Sequence, residues 1–273
     1  MMLDQLKTDL VFQRDGFLYE HETTISAVRE FGDLPDTQRA LFKSAASDAW
    51  VLVATSTIFH PQGGGQPSDT GMIAAKDGSG PMFHVQDVRA DAAGTVLHLG
   101  EFDGEAKPFA SAQAVQMTID KEKRILFSRY HTAGHVLGAA VRHLLQDSIE
   151  GFDELKASHF PDSAACEFQG LIAGTHKQAI QARLDEYVKK NMPVEIDWWD
   201  EDDFKNNGLE RLIPDREAMG LAEGEKFRVV KIIGAEVYPC GGTHVKTTTE
   251  CEKTVVKKIG RSKGTSRVSY LLQ

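Results

Sequence analysis

The sequence predicts an α+β protein in which a small N-terminal β-barrel is followed by a mixed α+β domain. Three observations carry that expectation. Short β-favouring runs, separated by glycine- and proline-rich stretches, fill the first half of the 273 residues. Near Asp120 the apolar spacing changes from that of a strand to that of a helix. Beyond that point helices and strands mix without the strict alternation that a parallel sheet needs. One domain, barrel-like and carrying a glycine-rich loop, is thus expected at residues 1–120 and the other at 121–273.

A helix-like segment opens the chain, and the strands follow. Ala49–Thr55, Met82–Val88, Thr95–Leu99 and Ala114–Ile119 are short β-favouring runs, interrupted by the Gly/Pro-rich stretch at 61–71 and by Lys76–Gly80. Several short strands at this spacing suggest a small barrel. From Lys121 to about Gln146 the apolar residues fall at helical spacing, through Ile125, Leu126, Tyr130, Val136, Leu137 and Val141. Asp120 is its N-cap, with Lys123 where a capping box prefers Glu. A second helix covers Lys177 to Lys190 and stops at Asn191-Met192-Pro193. Strands are expected at Val194–Trp198, Phe227–Ile233, Thr254–Ile259 and Arg267–Leu271.

Composition narrows the function classes. Hydrophobic residues make up 41% and charged residues 26%, the balance of a folded globular chain. No apolar run approaches the ~20 residues of a membrane span, and the N-terminus lacks the apolar stretch of a secretory signal. Three cysteines are too few, and odd in number, for a disulfide framework, which points to a reducing cytoplasm. The oligomeric state stays open, with a monomer favoured. The net charge of −9 argues against a general nucleic-acid binder. The charges are unevenly placed, however. Acids crowd Asp197–Asp203, whereas Lys253, Lys257, Lys258, Arg261, Lys263 and Arg267 follow one another with no acid beyond Lys253. That run reads either as a surface for an RNA end or as a lysine-protected sheet edge.

Two short motifs carry chemistry. His131 and His135, in His-Thr-Ala-Gly-His, lie four apart in the expected helix, so both imidazoles share one face. Cys240-Gly241-Gly242-Thr243-His244 adds a thiol and an imidazole on a glycine-rich turn. Together the pairs supply three nitrogens and one sulfur, a set suited to tetrahedral Zn²⁺. Two blander readings stand beside this one. The histidines can be ordinary helix-surface residues and Cys240 a small buried hydrophobe. Alternatively the metal is purely structural, because four protein ligands usually close a site. A third feature, the loop from Phe59 to Gly71 with Gly63-Gly64-Gly65-Gln66-Pro67 at its centre, can approach a ligand or another backbone closely. It lacks the Gly-Lys-Ser/Thr ending of a P-loop, and it also reads as a plain hairpin loop.

Four segments in this order resemble the alanyl-tRNA synthetase editing domain and the free-standing editing proteins of the AlaX type. They are Gly63–Pro67 with Asp69 and Gly71, the HTAGH segment at 131–135, CGGTH at 240–244, and Ser262-Lys263-Gly264 followed by Arg267. Lys156–Asp162 is similar as well, and the resemblance covers roughly residues 48 to 273. It implies a barrel-like domain joined to an α+β editing domain, with one zinc ion held by His131, His135, Cys240 and His244. It further implies hydrolysis of the ester that links serine or glycine to the 3′ acceptor end of the transfer RNA for alanine. The glycine loop marks the medium-length form, associated with sparing the correct alanyl ester.

Site roles follow by position. Gln66 is expected as a substrate-side amide and, with Thr132, as a catalytic residue; Gly64, Gly65, Ser158 and His159 are expected beside the substrate. Lys257, Lys258, Arg261 and Lys263 are expected on the RNA, while Cys166 and Cys251 are expected to be structural. Two departures from the family pattern stand out. Thr248–Glu252 replaces the usual run after CGGTH, and no long RNA-binding tail follows Gln273. Two further readings remain. One is the same hydrolysis on serine attached to threonine transfer RNA, and the other is a non-catalytic, zinc-stabilised RNA-binding module.

Overall fold

The computed structural model describes residues 7–78, 80–104, 108–217 and 219–273. The chain divides into two compact units, residues 1–63 with 67–124, and residues 64–66 with 125–273. Apart from residues 64–66, the two units meet at 124/125. A tripeptide from the glycine-rich loop belongs with the second unit because Gln66 is hydrogen-bonded inside it.

The first unit is a closed six-stranded barrel. Its elements are β1 (Asp9–Leu10), β2 (Glu20–Glu30), a one-turn helix α1 (Asp36–Arg39), β3 (Trp50–Ala54), β4 (Ser56–Thr57), β5 (Gly71–Ala75), β6 (Met82–Ala90), β7 (Val96–Phe102) and β8 (Ala114–Ile119). The barrel order is β2-β3-β7-β6-β5-β8, and β1 pairs with β4 in a separate two-stranded ribbon. Alternation builds the core: Val115, Met117 and Ile119 of β8 are buried together with Ile73, Phe83 and Val85. The 11-residue β2 lies where the sequence suggests helix. Its buried Thr23, Ile25 and Ala27 recur every second residue, so the period is that of a strand. Residues 1–6 of the helix-like segment, and Ser79 within the expected turn at 76–80, lie outside the described residues.

Asp69 of the glycine-rich loop holds this unit from inside. It forms a fully buried ion pair with Arg124, which also donates to Gly16 O at 2.8 Å and Ile58 O at 2.5 Å. The Asp69 carboxylate accepts the His60 N–H at 2.6 Å as well. A buried pair satisfied this completely is strongly destabilising to break, because the surviving charge has no compensation.

Helix α2 (Lys121–Leu145) begins where the Asp120 carboxylate accepts the Lys123 N–H at 3.1 Å. From Ala133 to Val141 it is buried on nearly all sides, as a core helix should be. The second unit continues with β9 (Asp153–Ser158), β10 (Ala165–Gln169), α3 (Lys177–Lys189), β11 (Val194–Trp199), α4 (Glu201–Asn206), β12 (Phe227–Ile232), β13 (Glu236–Pro239), β14 (Thr254–Ser262) and β15 (Thr265–Leu272). Two antiparallel sheets result, β14-β15-β10-β9 and β11-β12-β13. One core of α2, α3 and sheet residues includes Leu137, Phe168, Ile180, Leu184, Val256 and Tyr270. The protein is therefore α+β, with a barrel followed by helices and antiparallel sheets.

Two sequence expectations are refined here. The acidic run at 197–203 conceals the start of α4, where Asp200 and Asp203 form a reciprocal capping box. After the CGGTH turn the chain makes a 3₁₀ turn, Thr248–Cys251, capped by Thr247 and Glu250, before β14 begins. Edge strand β14 is covered along part of its length by α3. Gln181 bonds Thr254 O and Val256 N at 2.9 and 2.7 Å, and Lys177 donates to Lys257 O at 2.8 Å.

Candidate active site

The helix and the turn bring four donor side chains together. One ligand atom each from His131, His135, Cys240 and His244 lies within 4.8 Å of all the others. His131 and His135 project from one face of α2, and Cys240 and His244 come from the turn after β13. Cys240 Sγ is 3.4 Å from Nε2 of both His131 and His244. Gly242 is obligatory for this approach. A Cβ there would collide with the His131 ring and stand 2.7 Å from Gln66 Oε1.

The backs of the rings are tied down. His131 Nδ1 donates to Gln66 Oε1 at 2.6 Å, and His244 Nδ1 to Thr132 Oγ1 at 3.1 Å. Both Nε2 lone pairs are thereby left facing the sulfur, as metal-binding imidazoles require. Buried His135 Nδ1 has no hydrogen-bond partner among the described residues. Burial, then the neighbouring His159 and the Arg228 charge, hold His135 well below the ordinary imidazole range, so it is neutral. Burial pushes the Cys240 thiol up, opposed by the Gly242 N–H and by the Arg228 guanidinium. That guanidinium also donates to Cys240 O. A neutral His135 with an orphaned buried ring nitrogen, two further imidazoles and a thiol beside the Arg228 guanidinium together fit a divalent cation of intermediate softness.

Gln66 and Thr132 sit behind this cluster. Gln66 is fully buried; its Oε1 accepts from Thr243 N at 3.0 Å and from His131, and its Nε2 donates to Thr243 Oγ1 at 2.8 Å. Both lone pairs of the amide oxygen and one of its two N–H donors are engaged inside the unit, which leaves a single N–H without a protein acceptor among the described residues. Thr132 is equally buried and accepts from Val245 N at 3.2 Å in addition to His244. Neither residue lines the cleft.

That cleft, of about 460 Å³, opens beside the cluster and is lined by Gly64, His131, His135, His159, Tyr238 and Cys240, among others. Its far walls carry Asp153, Glu154, Glu167, Lys156 and Arg211. Arg142 bonds Glu154 at 2.6 Å, while burial raises the Glu154 pKa. Gly65 packs against Ala157 with φ 78°, so a side chain there would strike Ala157 O. Of the expected substrate residues, Gly64 and His159 line the cleft, whereas Ser158 ends β9 in pairing with Ala165 and does not. Cys166 and Cys251 are buried, and burial raises both thiols, Cys251 to about 12. Sequence reading missed Arg228, Tyr238, Tyr270 and Glu154. Only Arg228 left a signal, as a charge inside the apolar strand β12.

Lys257, Lys258, Arg261 and Lys263 lie exposed on β14 and the hairpin after it. A bulge between Val256 and Lys258 turns two successive lysines outward.

Comparison with known proteins defines the class first. Residues 3–123 match the family described as tRNA synthetases class II (A), and residues 227–269 match the threonyl and alanyl tRNA synthetase second additional domain. More particularly, the chain is similar to alanyl-tRNA editing protein AlaX-L of Pyrococcus horikoshii, with 29% identity over 88% of the chain and 52% of that protein. It is also similar to the alanine–tRNA ligases of Methanopyrus kandleri, 32% identical over 82% of the chain and 23% of the ligase, and Thermotoga maritima, 30% over 74% and 22%. The chain thus spans about half the length of AlaX-L and about a quarter of these ligases.

Proposed function

We propose that this chain is a zinc-dependent hydrolase acting in trans on mischarged transfer RNA, releasing serine or glycine from the 3′ end of the transfer RNA for alanine. The observation that carries the reading is the convergence of His131, His135, Cys240 and His244 within 4.8 Å at the edge of a cleft. The alanyl-tRNA editing protein and the ligases it is similar to support the substrate class. One zinc per chain suits a donor set of three nitrogens and one sulfur. When bound, zinc polarises an ester oxygen or acidifies a water toward pKa ~7.

The chain's own residues do the remaining work. Gln66 and Thr132 hold His131 and His244 in one tautomer and orientation, which makes them positioning residues. Gly64 and Gly65 let the loop border the cleft without obstructing the acyl group. Asp153 and Glu154 offer carboxylates to the substrate's ammonium group. Lys257, Lys258, Arg261 and Lys263 contact the RNA phosphates; among the described residues none of them has a carboxylate partner within 4.0 Å, in a chain of net charge −9. The protein works in the cytoplasm, as a monomer.

A deacylation panel of seryl-, glycyl- and alanyl-tRNA for alanine tests the reading. The first two are cleaved and the third is spared, and His131→Ala lowers the rate at least ~100-fold. Zinc-loaded wild type that releases neither amino acid sinks the proposal. Serine on threonine transfer RNA is a second reading, favoured by the domain family that covers both threonyl and alanyl synthetases. A matched panel on that transfer RNA separates the two. Binding to either RNA without hydrolysis indicates instead the non-catalytic module that a four-ligand, closed zinc site permits.

A further inference from the structure

We infer that His159 is the acceptor that recognises the side-chain hydroxyl of the aminoacyl group, an assignment that rests on the hydrolase reading above. Its ring lines the cleft and stacks on His131, with centroids 4.2 Å apart and planes 24° apart. It therefore stands beside the four-donor cluster without belonging to it.

The ring is held in place, and its hydrogen bonds decide which ring nitrogen faces the tyrosine. The His159 backbone N–H donates to Gly65 O at 2.8 Å, anchoring the residue against the loop. Nδ1 lies 2.8 Å from Tyr270 Oη, which in turn donates to Tyr130 O at 2.9 Å. A carbonyl oxygen only accepts, so the single tyrosine proton points at Tyr130 and the tyrosine oxygen accepts from Nδ1–H. The proton of the neutral ring is thus on Nδ1, and Nε2 carries a lone pair. Nε2 has no hydrogen-bond partner among the described residues, yet it is not one of the sealed, unpartnered atoms of the interior. It opens on the cleft.

Two glycines make room for this ring. A Cβ on Gly134 would collide with the His159 imidazole and lie 2.7 Å from Tyr270 Oη. A Cβ on Gly65 would sit 3.2 Å from His159 Cδ2. The glycine inside HTAGH therefore seats an additional imidazole beside the histidine pair.

Chemistry selects the substrate group. An aminoacyl ester brings two donors, the ammonium that every amino acid carries and the hydroxyl that serine has and glycine and alanine lack. Asp153, Glu154 and Glu167 line the same cleft and pair with Arg142, Lys156 and Arg267, and a carboxylate attracts an ammonium more strongly than an imidazole lone pair does. The neutral acceptor is left for the neutral hydroxyl. A site that hydrogen-bonds a hydroxyl discriminates strongly against analogues without one.

Full-length, zinc-loaded wild type, His159→Phe, His159→Gln and Tyr270→Phe test this. Affinities are measured calorimetrically for hydrolysis-resistant 3′-amide adenosines carrying serine or glycine, beside deacylation of the two tRNA esters and zinc content. Wild type prefers the seryl ligand, and His159→Phe lowers the seryl-to-glycyl ratio about tenfold or more in both readouts with zinc retained. His159→Gln, which keeps an acceptor, restores part of the preference, and Tyr270→Phe weakens it. An unchanged ratio in His159→Phe, or equal losses for both ligands, overturns the assignment. Wild type that hydrolyses neither ester removes the underlying hydrolase reading instead, whatever the ratio of affinities.

Discussion

Gln66 is held behind the donor cluster rather than at the wall of the cleft. Its amide makes three hydrogen bonds, to His131, Thr243 N and Thr243 Oγ1, from full burial. Gln66→Ala therefore frees the His131 ring to change tautomer. We expect zinc affinity to fall about 10–100-fold by competition with a chromogenic chelator; unchanged affinity would show that Gln66 merely fills space. His98 supplies a separate test in the barrel unit. Its Nδ1 donates to Leu52 O at 3.0 Å and its Nε2 accepts from Thr57 at 2.8 Å. Burial depresses its pKa from 6.5 to about 4. Between those values the unfolded chain binds the proton more readily than the folded chain, so stability falls as pH drops through this window. The contribution is about 3 kcal/mol in all. Urea unfolding from pH 7 to 4 should show a shallower loss in His98→Gln than in wild type, and equal slopes would refute it.

At the scale of elements, strand β14 combines two roles. One edge is occupied by Gln181 and Lys177 of α3, while the bulge after Val256 turns Lys257 and Lys258 to solvent. Among the described residues neither lysine has a carboxylate partner, so both charges are available to phosphate. Lys257→Glu with Lys258→Glu should weaken tRNA binding. It should also reduce the dependence of log K on log salt by about 0.7–0.9 for each phosphate that is no longer neutralised. The readout is fluorescence anisotropy across a salt series, with uncharged deacylation chemistry as a control on a short acceptor-end mimic. A slope equal to that of wild type would mean that the strand edge is only solubilising.

For the whole molecule, the donor cluster predicts that folding and metal are linked. A ligand that binds only the folded state stabilises it in proportion to log concentration, by about 4 kcal/mol at a thousand times Kd. Chelation should therefore lower the thermal midpoint, and one equivalent of zinc should restore it. Cys240→Ser should lower the midpoint without responding to the chelator. A midpoint indifferent to chelation, with no stoichiometric zinc by elemental analysis, would argue against a metal centre altogether. Local periodicity made the class of fold legible, because β8 and α2 carry their own periods and α2 its Asp120 cap. Strands β1, β2, β4, β5, β9 and β10 were not legible. Asp153–Ser158, for example, lacks β-branched residues and is a strand only because β10 pairs with it.

The amino-acid order by itself determined that four ligand-type side chains exist at helical and turn spacing, and that a barrel precedes a mixed domain. It could not reveal what stands behind each ligand. Gln66 lies 65 residues from His131 and 177 from Thr243, and His159 is 111 residues from Tyr270. Such partners are chosen by packing across the folded chain, where hydrogen-bond capacity and the space left by Gly134 and Gly242 decide which atom faces the cleft. Spacing along a chain encodes direction on one element; it does not encode which distant group will take up the other end of an imidazole.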